Sequence, residues 1–304
     1  MNKMENEKNI QLLKNIIQSG NKVAIFAGAG ASVPLGIKTW KDLLSELAKR
    51  FSVNINIEEC IINNGYPGTA SEIYKRINNH DDYLNFLSEQ FEPQTCDYTS
   101  LHIKIIKNFQ AIFTTNYDNA FERAFIDIEK VKGEDFKLQN FPNFDPFTLF
   151  DKPTIVYLHG NNDERKYIFR KEEYDIYYPS ISGNNGGSHE LEDFLRGIFK
   201  KMNLIFIGFS FNDSYFIGFL TKVLKEMEIE SKIHEDIFER KHPREHITHF
   251  AIISDDDASN INEIKKIGLG VITYEKEKHR QIGLILEKLT PIVVGDIEEG
   301  KYGR

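Results

Sequence analysis

Thr115-Asn116-Tyr117-Asp118 and, forty-three residues beyond Asn116, His159-Gly160 place an amide, a carboxylate and an imidazole just after two short apolar runs, Ala111-Ile112-Phe113 and Thr154-Ile155-Val156. Apolar runs of this length, rich in β-branched and aromatic residues, read as buried strands. In an open α/β sheet, ligands lie in the crevice outside the carboxyl ends of the strands. The three groups are therefore expected to converge on one pocket from two strand ends. Asn116 and Asp118 would orient a polar substrate, and His159 would move a proton near neutral pH.

Two further strand ends add to this pocket. Lys22 to Ala27 is an apolar run of strand length followed at once by Gly28-Ala29-Gly30-Ala31-Ser32. Glycines there let the backbone turn tightly and approach a ligand, and the N–H groups of such a turn, before a helix, suit a diphosphate. The same glycines would also serve a plain strand-to-helix turn, and Val33 occupies the third glycine position of the dinucleotide fingerprint. Asn203 to Ile207 is again a buried-strand run and ends in Gly208-Phe209-Ser210-Phe211-Asn212-Asp213. Gly208, Ser210 and Asp213 match what a nucleotide's phosphate and ribose hydroxyls need, and Asn212 or Asp213 also suits a helix N-cap.

The elements that must position these groups alternate between helix and strand. Asn9 to Ile17 has helical spacing before Gly20; several helices, and no strong strand, are expected between Thr39 and Asn108. This insertion, about residues 39–108, would form a smaller helical lobe over the pocket of a single domain spanning 1–304. Phe121 to Val131 reads as the helix leaving the Asn116 loop. Phe136 to Pro153 reads as irregular, either a mobile cover or a packed surface loop. Helices follow at Lys171 to Tyr178, Leu191 to Met202, Asp213 to Met227, Ile261 to Ile267 and Gln281 to Leu289. Ser180 to Gly187 is flexible by composition, and Lys225 to Arg244 reads as a solvated, charged excursion. Strands are expected at His249 to Ile253 and Gly270 to Tyr274. The fold class is α/β, a Rossmann-like parallel sheet flanked by helices.

A chain of 304 residues with 40% hydrophobic and 28% charged residues can bury a sizeable core. A formal charge of −8 disfavours non-specific binding to nucleic acid. No apolar run is long enough to span a bilayer, and the first eight residues are polar, unlike a signal peptide, so a cytoplasmic location is expected. Only Cys60 and Cys96 are present, which excludes a Cys₄ zinc site. His242, His246 and His249 fall at helical spacing, but Pro243 interrupts them and no zinc-protease carboxylate accompanies them, so no metal site is expected.

Taken in order, Gly28-Ala29-Gly30-Ala31-Ser32, Thr115-Asn116-Tyr117-Asp118, His159-Gly160 and Gly208-Phe209-Ser210 resemble the motifs of the sirtuin (SIR2) superfamily. They are most similar to its SIR2-like branch of NAD-consuming antiviral defence proteins, Thoeris effectors among them. The resemblance runs from about Val23 to Leu289. It implies NAD as substrate and cleavage of the nicotinamide–ribose bond, with Asn116 and His159 catalytic. Gly28, Ala29, Gly30 and Ser32 would cradle phosphate, Asp118 would hold the nicotinamide carboxamide, and Ser210 and Asp213 would serve the phosphate and adenosine side. Trp40 would be either an aromatic lid over the nicotinamide ribose or a core residue. Deacetylases of the superfamily carry a Cys₄ zinc module, a Gln where this chain has Thr115, and Gly-Ile-Pro-Asp-Phe-Arg where this chain has Gly36-Ile37-Lys38-Thr39-Trp40-Lys41. These departures favour an NAD hydrolase over a protein deacylase or ADP-ribosyltransferase, and the presence of Asn116 and His159, which binding alone does not require, favours it over a non-catalytic NAD-responsive module. The product would be linear ADP-ribose or a cyclic form. The resemblance further implies a homo-oligomer and control by an activating partner, a signal or a sensor domain outside this chain.

Overall fold

The computed structural model describes residues 3–132, 136–238, 248–276, 278 and 280–290. Among these, seven strands form one sheet: β1 (Val23–Ala27), β2 (Ala111–Thr114), β3 (Lys137–Asn140), β4 (Thr154–Tyr157), β5 (Asn203–Ile207), β6 (Phe250–Ser254) and β7 (Gly270–Tyr274). Their order is β3-β4-β2-β1-β5-β6-β7, and every pairing is parallel. The chain builds outward from β1 to one side through β2 and β4, then returns to add β5, β6 and β7 on the other. The order therefore reverses between β1 and β5, the position at which open α/β sheets open a ligand crevice.

β2, β4 and β5 are buried along their whole length, which explains their uninterrupted apolar sequences. Alternate residues enter different cores. Phe26, Phe113, Val156, Leu204 and Phe206 face one helical layer, while Ile25, Ile112, Ile155, Ile205 and Ile207 face the other. On the first face the Phe26 ring centroid lies 4.9 Å from those of Phe206 and Phe216. Helix α9 (Glu190–Lys201) covers that face with Leu191, Phe194, Leu195, Ile198 and Phe199, one helical stripe. Helix α12 (Arg280–Leu289) covers the opposite face with Ile282, Ile285, Leu286 and Leu289.

Between β1 and β2 lie α2 (Trp40–Arg50), α3 (Ile57–Tyr74), α4 (His80–Phe91) and α5 (Ser100–Asn108). Helices α2 to α4 build a third apolar cluster, including Leu43, Leu44, Leu47, Ile73, Phe86 and Leu87, which reaches the strand-end loops through Tyr117 and Phe169. Helix α3 breaks at Gly65 (φ 69°), and Pro67 opens its second half. The break brings Tyr66 and Pro67 to the cleft described below.

Four local expectations are corrected. The glycine loop leads into two single 3-10 turns, Ala29–Ala31 and Val33–Leu35, rather than an α-helix. Gly36, at φ 83°, ends the second. The stretch read as irregular contains the edge strand β3, whose Gln139 side chain bonds both the N–H and the C=O of Asp145 at 2.8 and 2.9 Å. Within the stretch read as flexible, α8 (Pro179–Ser182) is anchored by Ser180, whose N–H and hydroxyl both donate to the buried Glu192 carboxylate. Helix α10 (Ser214–Phe238) runs well beyond Met227, so the first part of the charged stretch is helical; the rest of it, His242 included, and His246 beyond it lie outside the described residues. His249 is buried, with Nδ1 accepting the Leu204 N–H at 3.3 Å. Among the described residues no cluster of His, Cys, Asp or Glu could hold a metal ion, and no helix is long and apolar enough to cross a membrane.

Candidate active site

A cleft of about 400 Å³ opens where the sheet order reverses. Ala29, Gly30, Ser32, Trp40, Asn116, Asp118, His159, Gly208, Ser210 and Asp213 all border it. Gly28 sits behind the lining, with its N–H donating to the Ile207 carbonyl at 2.9 Å.

The glycines of this site are required chiefly by one another. The loops after β1 and β5 touch backbone to backbone: Gly30 N–H donates to the Gly208 carbonyl at 2.7 Å. A Cβ on Gly28 would lie 2.7 Å from the Gly208 carbonyl oxygen, and one on Gly30 2.8 Å from Gly208 Cα. A Cβ on Gly208, which has φ +65°, would lie 2.3 Å from the Ala31 nitrogen. The first loop's N–H groups at Gly30, Ala31 and Ser32 are already bonded within this frame. Glycine here thus serves loop-to-loop contact as well as any approach of a ligand. Gly208→Ala must adopt left-handed backbone, at about 1–2 kcal/mol, and also push two backbones apart. We expect it to lose at least about 3 kcal/mol of stability. Urea unfolding measures this, and an unchanged midpoint would refute the interlock.

Asn116 is 7% exposed and held at three points. Its backbone N–H donates to Thr114 Oγ1 at 3.0 Å, and its Nδ2 donates to the Gly28 carbonyl at 3.1 Å and to Ser32 Oγ at 2.9 Å. Both amide protons are thereby engaged, leaving Oδ1 as the amide atom that faces the cleft. Ser32, 1% exposed, donates a hydrogen bond from its hydroxyl to the Asp118 carboxylate. Asp118 Oδ1 also accepts the Ala120 N–H at 3.1 Å, at the start of α6 (Ala120–Lys132). Burial raises the Asp118 carboxyl above its ordinary range, and the hydrogen bonds from Ser32 and Ala120 partly offset this. The Ser32 hydroxyl, expected to cradle phosphate, is in this arrangement the link between Asn116 and Asp118.

His159 follows β4 and is 2% exposed. Gly160, at φ +88°, turns the chain so sharply that a Cβ would lie 2.0 Å from the Lys166 carbonyl oxygen; the returning chain bonds back through Ile168 N–H to the His159 carbonyl at 2.8 Å. Only glycine fits there. The imidazole Nε2 lies 2.8 Å from the Tyr178 hydroxyl, and the ring packs edge-on against Tyr174. Burial lowers the His159 pKa to about 3, so the ring is neutral at pH 7.

Several residues around the cleft carried no functional signal in the sequence. Tyr174, at the centre of α7 (Lys171–Tyr177), donates its hydroxyl to Asp213 Oδ2 at 3.0 Å. Asp213 Oδ1 caps α10 by accepting the Tyr215 and Phe216 N–H groups, both at 3.0 Å. Burial raises the Asp213 carboxyl, and these donors offset part of the rise. Tyr174 and Tyr178 stand four residues apart, Tyr178 just past the end of α7, the single sequence cue to their pairing. At the other end of the cleft lie Ser254, Asp257, Asn260 and Tyr274; Asn260 Nδ2 ties the Asp257 carboxylate to the Ser210 carbonyl, at 2.7 and 3.0 Å. Trp40 borders the cleft and stacks on Phe169 with centroids 4.7 Å apart and planes 8° from parallel.

The family model of the SIR2-like domain matches residues 110–272, just over half of the chain. Similar curated proteins include the NAD(+) hydrolase ThsA of Cytobacillus dafuensis, 24% identical over 248 residues, covering 81% of this chain and 47% of that protein. That of Acinetobacter baumannii is 26% identical over 230 residues, covering 72% and 43%. That of Enterococcus faecium is 25% identical over 313 residues, covering 94% and 58%. The chain thus spans about half the length of the curated relatives it matches.

Proposed function

Because this chain belongs to the SIR2-like domain family, we propose that it hydrolyses the nicotinamide–ribose bond of NAD to nicotinamide and ADP-ribose. The observation that carries this reading is Asn116 Oδ1, turned to the cleft by two engaged amide protons and sharing that cleft with a neutral imidazole. The names of the relatives, all NAD(+) hydrolases, support it.

In the proposed reaction the C1′–N bond breaks with its electron pair going to the nicotinamide ring nitrogen. The cationic ring thereby becomes a neutral leaving group that needs no proton. Positive, oxocarbenium-like charge is left on the ribose. Asn116 Oδ1 accepts a hydrogen bond from water or a ribose hydroxyl and sets its position. Water adds to C1′, and its proton passes to His159 and then to solvent. Trp40, braced on Phe169, forms an aromatic wall for the nicotinamide end, and Asp118 serves its carboxamide. The backbone at Gly28, Ala29, Gly30 and Gly208 lies against the diphosphate, while Ser210 and Asp213 serve the adenosine side.

The same reading takes the chain as one SIR2-like domain whose α2–α4 lobe closes over the cleft. It assigns the protein to NAD depletion in antiviral defence, restrained until self-assembly or a partner or signal activates it. The test is nicotinamide release from NAD by the purified chain across protein concentrations, with and without acetylated peptide. The expected result is peptide-independent release that rises more than proportionally with concentration. Release only with peptide, in step with loss of its acetyl group, would replace the hydrolase with a deacylase.

A further inference from the structure

We propose that Tyr178 is a positioning residue for His159, its phenolic oxygen accepting the Nε2–H that the ring must carry when His159 takes a proton from the reacting group. This rests on the proposed role of His159 in NAD cleavage. The two imidazole nitrogens have different surroundings. Nε2 lies 2.8 Å from the Tyr178 hydroxyl. Nδ1 makes no protein hydrogen bond among the described residues and yet is not sealed off from the cleft that the ring borders. A proton arriving from the cleft therefore binds Nδ1, and the resulting imidazolium carries hydrogen on both nitrogens. One points to the substrate oxygen. The other points into the protein, where Tyr178 Oη is the acceptor within reach.

Tyr178 suits this task in three respects. It is fully buried, between α7, which it ends, and α8, which it starts, so its backbone is pinned on both sides. Its ring stacks on Tyr174, with centroids 5.7 Å apart and planes 18° from parallel, and meets Phe219 edge-on. The ring position is thus fixed without the hydroxyl. Burial also pushes the phenol well above its usual pKa, so the oxygen accepts a hydrogen bond from the imidazolium while keeping its own proton. A hydroxyl that rotates can turn its lone pair to Nε2 as the charge develops. Because burial strongly disfavours the imidazolium at this position, losing its acceptor should be felt in the rate.

Tyr178→Phe keeps the ring and removes the acceptor. The expected result is a fall in kcat of roughly 10- to 100-fold, the span for a hydrogen bond to a charged group, with KM nearly unchanged. In a His159→Ala background, Tyr178→Phe should lower the residual rate no further, because Tyr178 acts only through the imidazole. Tyr215→Phe removes another phenol from the same aromatic stack, one that bonds Asp175 at 2.6 Å, and should leave turnover unchanged. An equal loss from Tyr178→Phe with and without His159, or an equal loss from Tyr215→Phe, would overturn the proposal in favour of a packing role. Nitrogen-15 NMR of histidine-labelled protein gives a readout independent of turnover. Tyr178→Phe should move the His159 Nε2 resonance and leave Nδ1 in place. An unmoved Nε2 would refute the contact even if the chain cleaves no NAD, whereas a moved Nε2 without NAD cleavage would overturn the NAD hydrolase reading alone.

Discussion

His159→Ala is expected to lower the proposed NAD cleavage by roughly 10²- to 10⁴-fold, the usual span for loss of a general base, while NAD affinity should change only a few-fold. The imidazole is buried beside Tyr174 and Tyr178 and contributes no charge to binding at pH 7. Its removal should therefore act on the chemical step. The pH profile carries an independent signature. An ordinary histidine titrates near 6.5, and kcat/KM would fall below that pH as the base becomes protonated. Burial lowers His159 to about 3, so its neutral, proton-accepting form persists well below 6.5. Between pH 8 and roughly 5, kcat/KM should stay flat with respect to this group. Steady-state nicotinamide release over that range, for the wild type and the variant, checks both statements. Near-normal turnover by folded His159→Ala protein would remove the residue from the mechanism. A clear fall in wild-type kcat/KM centred near 6.5 would show that the ring is solvated in the working enzyme.

Asn116→Ala should lower kcat by about 10²-fold or more while NAD still binds, because misplacing a bound reactant by about 1 Å costs that much. The substitution removes Oδ1 from the cleft and leaves Ser32 Oγ and the Gly28 carbonyl without their amide donor. Asn116→Asp provides a sharper comparison. It keeps the size and an acceptor oxygen but has no N–H to donate to Ser32 and Gly28, and it adds a buried negative charge beside Asp118. It should be as inactive as the alanine variant and less stable. Calorimetry for NAD affinity, nicotinamide release for kcat and urea unfolding for stability separate these effects. Full activity in Asn116→Asp would mean that the orientation of the amide does not matter.

The strands carrying the candidate site were legible because a strand buried on both faces needs apolar residues at every position, and that is a local pattern. β1, β2, β4, β5 and β6 announce themselves in this way, and Asn116, Asp118, His159, Ser210 and Asp213 follow from where their strands end, whereas Trp40 and Tyr174 stand on helices. The edge strand β3, Lys137–Asn140, does not, since its sequence is polar and only Gln139 is buried, where its side chain bonds Asp145. The glycine loop shows the same limit. Its sequence suits a strand-to-helix turn, yet the chain makes 3-10 turns because the loop must lie against Gly208 from the other side of the β1–β5 crevice.

The sequence by itself thus determined the layered α/β class, the strand ends and the identity of the polar groups at them, all properties of short segments. The tertiary structure alone decided how those groups are held and what surrounds them. Ser32 reaches Asn116 across eighty-four residues and turns its Oδ1 to the cleft. His159 finds Tyr178 on the far side of a turn that only Gly160 permits. The neutrality of His159 and the raised carboxyl of Asp118 come from burial by elements far away in the chain. Hydrogen-bond partners and desolvation depend on which distant segments pack together, and no local pattern of residues encodes that.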